Sequence, residues 1–338
     1  MNFARIAAIE YALPENRLDN ARLAAELPDW DVAKAEIKTG IRSRGVVGEH
    51  ETALDLAEVA GRALIDSGAV TADAIDALVF CTQSPDFILP PNSPMLQARL
   101  GIPKSVQAFD ITHGCSGFLY SLSIGKALIE SGQAKTVLLI TSETYSRHIN
   151  KKDKSNRSLF GDAAAATLLR AEDADRPFLD HFRFYTDGEG ARNLVVPTSG
   201  ARRAAVLAHG GYDKNLKDGL RTIDDLYMAG LEIFTRSMIV LPKLFNAVLE
   251  DAGLDLDHLD AVLFHQASGL VLENLRKKCK IPEDKYIIHF AESGNTVSST
   301  IPIALKQAID LGEVRSGQTM IIAGFGVGYS GGAAFVRL

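Results

Sequence analysis

Ala63-Leu64-Ile65-Asp66-Ser67-Gly68, leading into Ile75-Asp76-Ala77-Leu78-Val79-Phe80-Cys81-Thr82-Gln83-Ser84, decides the fold because it occurs twice. Its second copy is Val248-Leu249-Glu250-Asp251-Ala252-Gly253, leading into Leu259-Asp260-Ala261-Val262-Leu263-Phe264-His265-Gln266-Ala267-Ser268. Gly68 and Gly253 stand 185 residues apart, and so do Ser131-Gly132-Gln133 and Ser316-Gly317-Gln318, each of which enters an apolar run. Both copies end on a small-residue strand, Gly161 to Leu169 and Gly331 to Leu338. A constant offset argues for two similar halves, 1–172 and 173–338.

Within each half, helix-period segments alternate with short apolar runs rich in β-branched residues, the pattern of a largely parallel sheet covered by helices. An acidic, capped helix is expected over about Glu51 to Ser67. Its counterpart runs over roughly Ile233 to Asp251, where Pro242 should kink it or mark its start. Two such halves would pack helix against helix across a shared middle layer. The segment from Arg183 to Asp225, rich in Gly, Arg, Asp and Asn, reads as an inserted loop region suited to substrate-specific elements. Trp30 to Val46, with Lys34, Lys38, Arg42 and Arg44, reads as a basic loop-like segment, either a solvated face or a phosphate contact.

The totals narrow the class of function. The chain has 338 residues, 46% of them hydrophobic, enough for a large core. With Lys+Arg 36 against Asp+Glu 42, the net charge of -6 gives no reason to expect nucleic acid. No apolar run is long enough for a membrane span and no charged segment precedes an apolar one at the start, so a cytoplasmic protein without membrane insertion is expected. Cys81, Cys115 and Cys279 form an odd set without metal-type spacing, so no disulfide framework and no metal site is expected.

One cysteine stands apart. Phe109-Asp110-Ile111-Thr112-His113-Gly114-Cys115-Ser116-Gly117-Phe118 is a strand end, a glycine-flanked turn and a helix start, which places Cys115 at the first turn of a helix. Free backbone N–H groups and the helix dipole there would favour thiolate, the nucleophilic form. A buried structural cysteine is the competing reading, and the two stand about even until partners are found. The partners lie in the other half. His265 sits at the carboxyl end of the run Leu259 to Phe264, where ligand crevices form in open α/β sheets. Asn295, in Glu292-Ser293-Gly294-Asn295-Thr296, lies in a turn before a helix, and the repeat offset from Cys115 lands near Thr300, so this turn duplicates the cysteine turn. Cys, His and Asn at a common crevice supply a nucleophile and two neutral donors, suited to negative charge developing on a thioester oxygen. A papain-like hydrolase uses the same three residue types with histidine as base, and residue types alone leave that open.

At these residues the chain resembles the β-ketoacyl-ACP synthase III family, the initiating condensing enzymes of fatty acid biosynthesis in the thiolase superfamily. The similarity runs from Ile6 to Leu338 and rests on Thr39-Gly40-Ile41-Arg42, Ala108-Phe109-Asp110, the cysteine turn, Phe160-Gly161-Asp162, His265-Gln266-Ala267, Gly294-Asn295-Thr296 and the glycine-rich end. The resemblance implies a thiolase-like α/β fold, a five-layered αβαβα sandwich, and a homodimer. It implies an acyltransferase in which Cys115 takes an acyl group from acyl-CoA or an acyl carrier. His265 and Asn295 would then promote decarboxylation of a malonyl thioester and stabilise the attacking enolate. Carried over by position, the oxyanion hole is the backbone N–H of Cys115 plus that of Val327, and Lys34, Lys38, Lys154, Leu89 and Phe325 are substrate-binding positions. No permanently bound cofactor is implied; CoA and acyl carrier protein, through phosphopantetheine thioesters, are substrate and partner.

The departures concern the substrate. Lys34 and Lys38 stand where the family often has a tryptophan and an arginine, and Lys154 replaces a further arginine, keeping charge but losing the bidentate fork. Ser268-Gly269-Leu270 follow His265-Gln266-Ala267 where Asn-x-Arg is usual, and His113-Gly114 replace small residues, which together suggest a specialised paralogue. Other readings fare less well. Gly326-Val327-Gly328-Tyr329-Ser330-Gly331 matches a dinucleotide fingerprint, but only seven residues follow it. A degradative thiolase would place a second cysteine between Phe325 and Gly328. Acyl transfer from Cys115 to a hydroxyl or amine acceptor without decarboxylation is the runner-up. A non-catalytic subunit is disfavoured by the complete trio.

Overall fold

The computed structural model describes residues 1–212 and 221–338. In chain order the strands are β1 (Asn2–Ala12), β2 (Arg17–Asp19), β3 (Ser43–Gly45), β4 (Ala77–Cys81), β5 (Gln107–Ile111), β6 (Thr136–Glu143), β7 (Ala163–Asp173), β8 (Leu179–Thr186), β9 (Leu194–Val195), β10 (Tyr227–Met228), β11 (Ala261–Phe264), β12 (Thr319–Gly326) and β13 (Ser330–Arg337). The helices are α1 (Asn20–Glu26), α2 (Val32–Thr39), α3 (Ala53–Asp66), α4 (Asn92–Leu100), α5 (Gly117–Glu130), α6 (Lys154–Leu159), α7 (Arg203–His209), α8 (Gly230–Ala252), α9 (Gly269–Lys278) and α10 (Thr300–Asp310).

Two sheets carry the duplication. One is ordered β1-β7-β6-β4-β5 and the other β8-β13-β12-β11. In the first, β4 pairs parallel with both β6 and β5, and β7 and β1 follow antiparallel; in the second, β11 pairs parallel with β12, and β13 and β8 follow antiparallel. Tyr286 forms a parallel bridge to Val262, in the place that β5 takes beside β4. Parallel strands need crossovers, and these are the helices.

Apolar residues set the layers. Leu54, Ala57, Ala60 and Leu64 of α3 and Leu96 of α4 pack on Leu78, Phe80 and Ile140 of the first sheet. Phe118 and Leu122 of α5 and Ile301, Ala304 and Leu305 of α10 lie between the sheets, touching Val79 on one side and Leu263 and Ile322 on the other. Val240, Leu241 and Phe245 of α8 with Leu272 and Leu275 of α9 cover the far face of the second sheet. The result is the expected αβαβα stack. Thr52 caps α3 through a reciprocal capping box with Asp55, which fixes the helix start just after Glu51.

Three expectations need correction. The region from Arg183 to Asp225 is not one loop, because Arg183 to Thr186 complete β8 against β13. After them come the β9–β10 pair and α7, and residues 213–220 lie outside the described residues. Trp30 to Val46 is not loop-like: Asp31 caps α2 by accepting from Lys34 N–H, and β3 follows. Its Arg44 is fully buried, donating to the carbonyls of Leu18 and Ser158 and to Asn20, so it is not part of a solvated face. Finally, of the two roles open to Pro242, marking the helix start is excluded, since α8 begins at Gly230 and runs through it.

Candidate active site

The crossover from β5 into α5 places Cys115 just before the helix, with Ser116 at the cap and Gly117 the first helical residue. This shifts the cysteine out of the first turn, where the sequence had put it. The turn is tight: Gly117 N–H donates to Gly114 C=O over 2.7 Å. The end of β12 presses on it from above. A methyl group at Gly326 would lie 2.6 Å from the Cys115 sulfur, and one at Gly324 would lie 2.7 Å from the Cys115 carbonyl. Only glycine admits that approach.

The electrostatics also depart from expectation. Burial pushes the Cys115 thiol up to about 12, and the nearby Glu143 carboxyl pushes in the same direction. The N–H groups of Cys115 and Val327 face the sulfur and oppose the shift without reversing it. At rest the group is a thiol and not the thiolate anticipated from the helix start, because desolvation of a buried anion outweighs two amide dipoles. Those two amides are the pair carried over as an oxyanion hole, and they meet at one atom.

His265 follows β11 directly, and its backbone N–H donates to Ala323 C=O over 2.7 Å, which holds it at the sheet's carboxyl end. Burial drives its pKa down to about 3, so the ring is neutral. Its Nδ1 lies 2.6 Å from Thr300 Oγ1, and that hydroxyl is also 3.2 Å from the Val297 carbonyl. One hydroxyl proton serves one acceptor at a time. Given to Val297 C=O, it makes Nδ1–H the donor to Thr300; given to Nδ1, it leaves His265 as the Nε2–H tautomer, a donor.

Asn295 is held by its backbone, whose N–H donates to Leu159 C=O while its C=O accepts from Gly161 N–H. The side-chain oxygen accepts from Val297 N–H at 3.0 Å, which leaves the amide NH2 as the free end. Val297 takes φ 55° to do this, a strained value for a β-branched residue, and is fully buried.

Cys115, His265 and Asn295 line one cavity of about 420 Å³, together with Phe325, Gly326 and Lys38. An adjoining vestibule is bounded by Trp30, Lys34 and Lys38. Leu194 of β9, within the Arg183 to Asp225 segment, and Met228 of β10, just after it, also reach the cavity, so that segment does contribute a wall. Two carried-over positions are not brought to the site. Leu89 is 80% exposed: Asp86 is tied to Thr52, Leu54 and Asn92, and residues 87–89 project outward from that anchor. Lys154 is the first residue of α6 and lines neither cavity, although its neighbour Ser155 borders the vestibule.

Two residues escaped the sequence reading. Thr300 stands out in the sequence only as the position where a repeated cysteine is missing. Glu143 ends β6 fully buried, accepting from Gln83 N–H, Ser84 Oγ and Ser298 Oγ, and burial raises it to about 8. An acid closing the apolar run Thr136 to Ser142 was the available signal.

Comparison with known proteins follows the same lines. A family model described as 3-oxoacyl-[acyl-carrier-protein (ACP)] synthase III matches residues 109–188, and its C-terminal companion matches residues 249–338. A β-ketoacyl-[acyl-carrier-protein] synthase III of Neisseria meningitidis is 32% identical over 340 residues, covering 100% of both chains. A crystal structure of a 3-oxoacyl-(acyl-carrier-protein) synthase III is 43% identical with TM-score 0.94, covering 99% of this chain and 100% of that one. A 3-oxoacyl-(acyl-carrier protein) synthase from Burkholderia xenovorans is 35% identical with TM-score 0.90, over 99% of this chain and 94% of its own.

Proposed function

The chain belongs to the 3-oxoacyl-[acyl-carrier-protein] synthase III family of condensing enzymes, and from that premise we propose that it joins two acyl thioesters by decarboxylative Claisen condensation through an acyl-Cys115 intermediate. In the first half-reaction Cys115 Sγ forms a bond to the acyl carbon, the bond to the CoA sulfur breaks, and the thiol proton ends on the departing CoA. The tetrahedral oxyanion is received by the N–H groups of Cys115 and Val327. In the second, a malonyl thioester loses its carboxylate as carbon dioxide. The enolate oxygen accepts from His265 Nε2–H and the Asn295 amide, and the enolate carbon attacks the acyl-enzyme. The Cys115 sulfur leaves as thiolate and regains a proton from water.

The observation that carries this reading is the pair of neutral donors. A histidine held near pKa 3 is a weak base, and its Nδ1 is already engaged by Thr300, so it serves better as a donor than as the proton acceptor of a hydrolase. Neither half-reaction calls for a metal or a resident cofactor. The vestibule with Lys34, Lys38 and Trp30 is the entry for CoA or a carrier-protein arm, with the two lysines serving as point charges for phosphate. A homodimer, a cytoplasmic setting and a role beside the housekeeping initiator belong to the same proposal.

The test is direct. Incubation with acyl-CoAs should give an intact-mass adduct that is absent in Cys115→Ala, and addition of a malonyl thioester should release carbon dioxide with the 3-oxoacyl product. An adduct that reacts with malonyl thioesters without releasing carbon dioxide would overturn the condensation step.

A further inference from the structure

The two N–H groups that face the Cys115 sulfur are held by unlike means. That of Cys115 lies in the tight turn locked by Gly117 N–H on Gly114 C=O and pressed by Gly324 and Gly326 of β12. Val327, half-buried, begins instead the hairpin turn closed by the pairing of Gly326 with Ser330. Two donors serve one oxyanion only when their spacing is set beforehand.

Ser116 supplies a tie between them. It holds the cap position of α5, where a serine hydroxyl ordinarily accepts from a backbone N–H of the first turn, yet its side chain makes no such bond. Its Oγ lies 2.6 Å from Ser330 Oγ, and Ser330 Oγ lies 2.8 Å from the Val327 carbonyl oxygen. Both serines are buried, and neither lines the cavity.

The direction of the pair follows from its protons. Were the Ser330 proton turned towards Ser116, the Val327 carbonyl would lose its donor and the Ser116 proton would meet no acceptor among the described residues. With Ser116 donating to Ser330 and Ser330 to Val327 C=O, all three groups are satisfied. The residue bonded to Cys115 in one half is thereby joined to the residue bearing the second donor in the other.

Building on the thioester reading above, we propose that Ser116 and Ser330 are positioning residues for acyl transfer: their hydroxyl pair orients Val327 so that its N–H and that of Cys115 reach one oxyanion together. Neither hydroxyl touches the substrate. The pair therefore acts on the rate of bond making and not on thioester affinity.

The test measures single-turnover acylation by acetyl-CoA over a range of concentrations, followed by intact mass. Deleting an oxyanion donor costs about a hundred- to a thousandfold, and a donor kept but unfixed should cost less: Ser330→Ala should slow the saturating rate roughly tenfold and leave the half-saturating concentration unchanged. Ser116→Ala should act in the same direction, and the double variant should be no slower than Ser330→Ala, because both hydroxyls lie on one path. Ser330→Thr keeps the hydroxyl and should restore the rate; if it does not fold, the alanine variants decide. An unslowed Ser330→Ala, a loss confined to the half-saturating concentration, losses that multiply in the double variant, or a folded Ser330→Thr as slow as Ser330→Ala overturns the proposal.

A second readout needs no turnover. With 15N-valine labelling, the Val327 amide resonance, identified by its loss in Val327→Ile, should be displaced in Ser116→Ala although the two residues are distant in sequence. An unmoved resonance refutes the tie. Should the wild-type protein form no acyl adduct, the thioester reading falls, and the amide displacement still decides whether the serine pair holds Val327.

Discussion

His265 Nδ1 and Thr300 Oγ1 stand 2.6 Å apart, joining the end of β11 to the first residue of α10 and coupling the tautomer of the imidazole to the hydroxyl proton. Thr300 is a positioning residue in this arrangement. Thr300→Val keeps the shape and removes the hydroxyl, so kcat for condensation should fall on the order of tenfold to a hundredfold with KM little changed. Thr300→Ser should restore it. Ring 15N chemical shifts of His265 check the cause, since the valine variant should lose the bias towards Nε2–H; an unchanged tautomer in an impaired variant would contradict the assignment.

The Cys115 thiol, pushed up to about 12 by burial and by Glu143, should resist alkylation. At pH 7 its thiolate fraction is on the order of 10⁻⁵, against a few per cent for an ordinary cysteine. Iodoacetamide labelling followed by intact mass should accelerate about tenfold per pH unit and continue past pH 9. A plateau near pH 8.5, as for a free thiol, would contradict the burial argument.

How far the sequence reached is clearest at these two groups. The repeat at constant offset foretold two sheets of like order, and it brought Cys115, His265 and Asn295 to one cavity, because apolar periodicity and crossover topology are local properties of the chain. Protonation was not legible in the same way. A helix start favours thiolate, but the opposing penalty comes from residues distant in sequence, Gly326 above the sulfur and Glu143 nearby. The outward turn of the loop at Leu89 was not legible for a related reason: the anchoring of Asp86 by Thr52, Leu54 and Asn92 is tertiary.

Glu143 should leave its own mark on stability. Burial lifts it to about 8 in the fold, against about 4.3 for an ordinary glutamate in the unfolded chain. A raised folded value favours the fold fully below the unfolded value, and the contribution is lost as pH climbs through about 8. Glu143→Gln should flatten this decline. Urea midpoints between pH 5 and pH 9 check it, and parallel curves for the two proteins would refute it.

Gly326→Ala should abolish acylation, because its methyl group would sit 2.6 Å from the Cys115 sulfur, on the side where Val327 N–H approaches. The melting temperature should drop by several degrees, in line with overpacking of roughly 1–3 kcal/mol. Mass spectrometry after acyl-CoA exposure, beside a thermal melt, reports both. Normal adduct formation in the alanine variant would show that β12 yields.

Glu143 also has a genealogical implication. Its carboxyl accepts from Gln83 and Ser84 beside the cysteine turn and from Ser298 beyond the asparagine turn, so one side chain is read by both copies of the ancestral unit. Hybrids that splice the first copy of one relative to the second copy of another would have to inherit that acid and its distant serine together. Through this one carboxyl the two repeated units answer to each other, so a change at Ser298 in one is felt at Gln83 and Ser84 in the other.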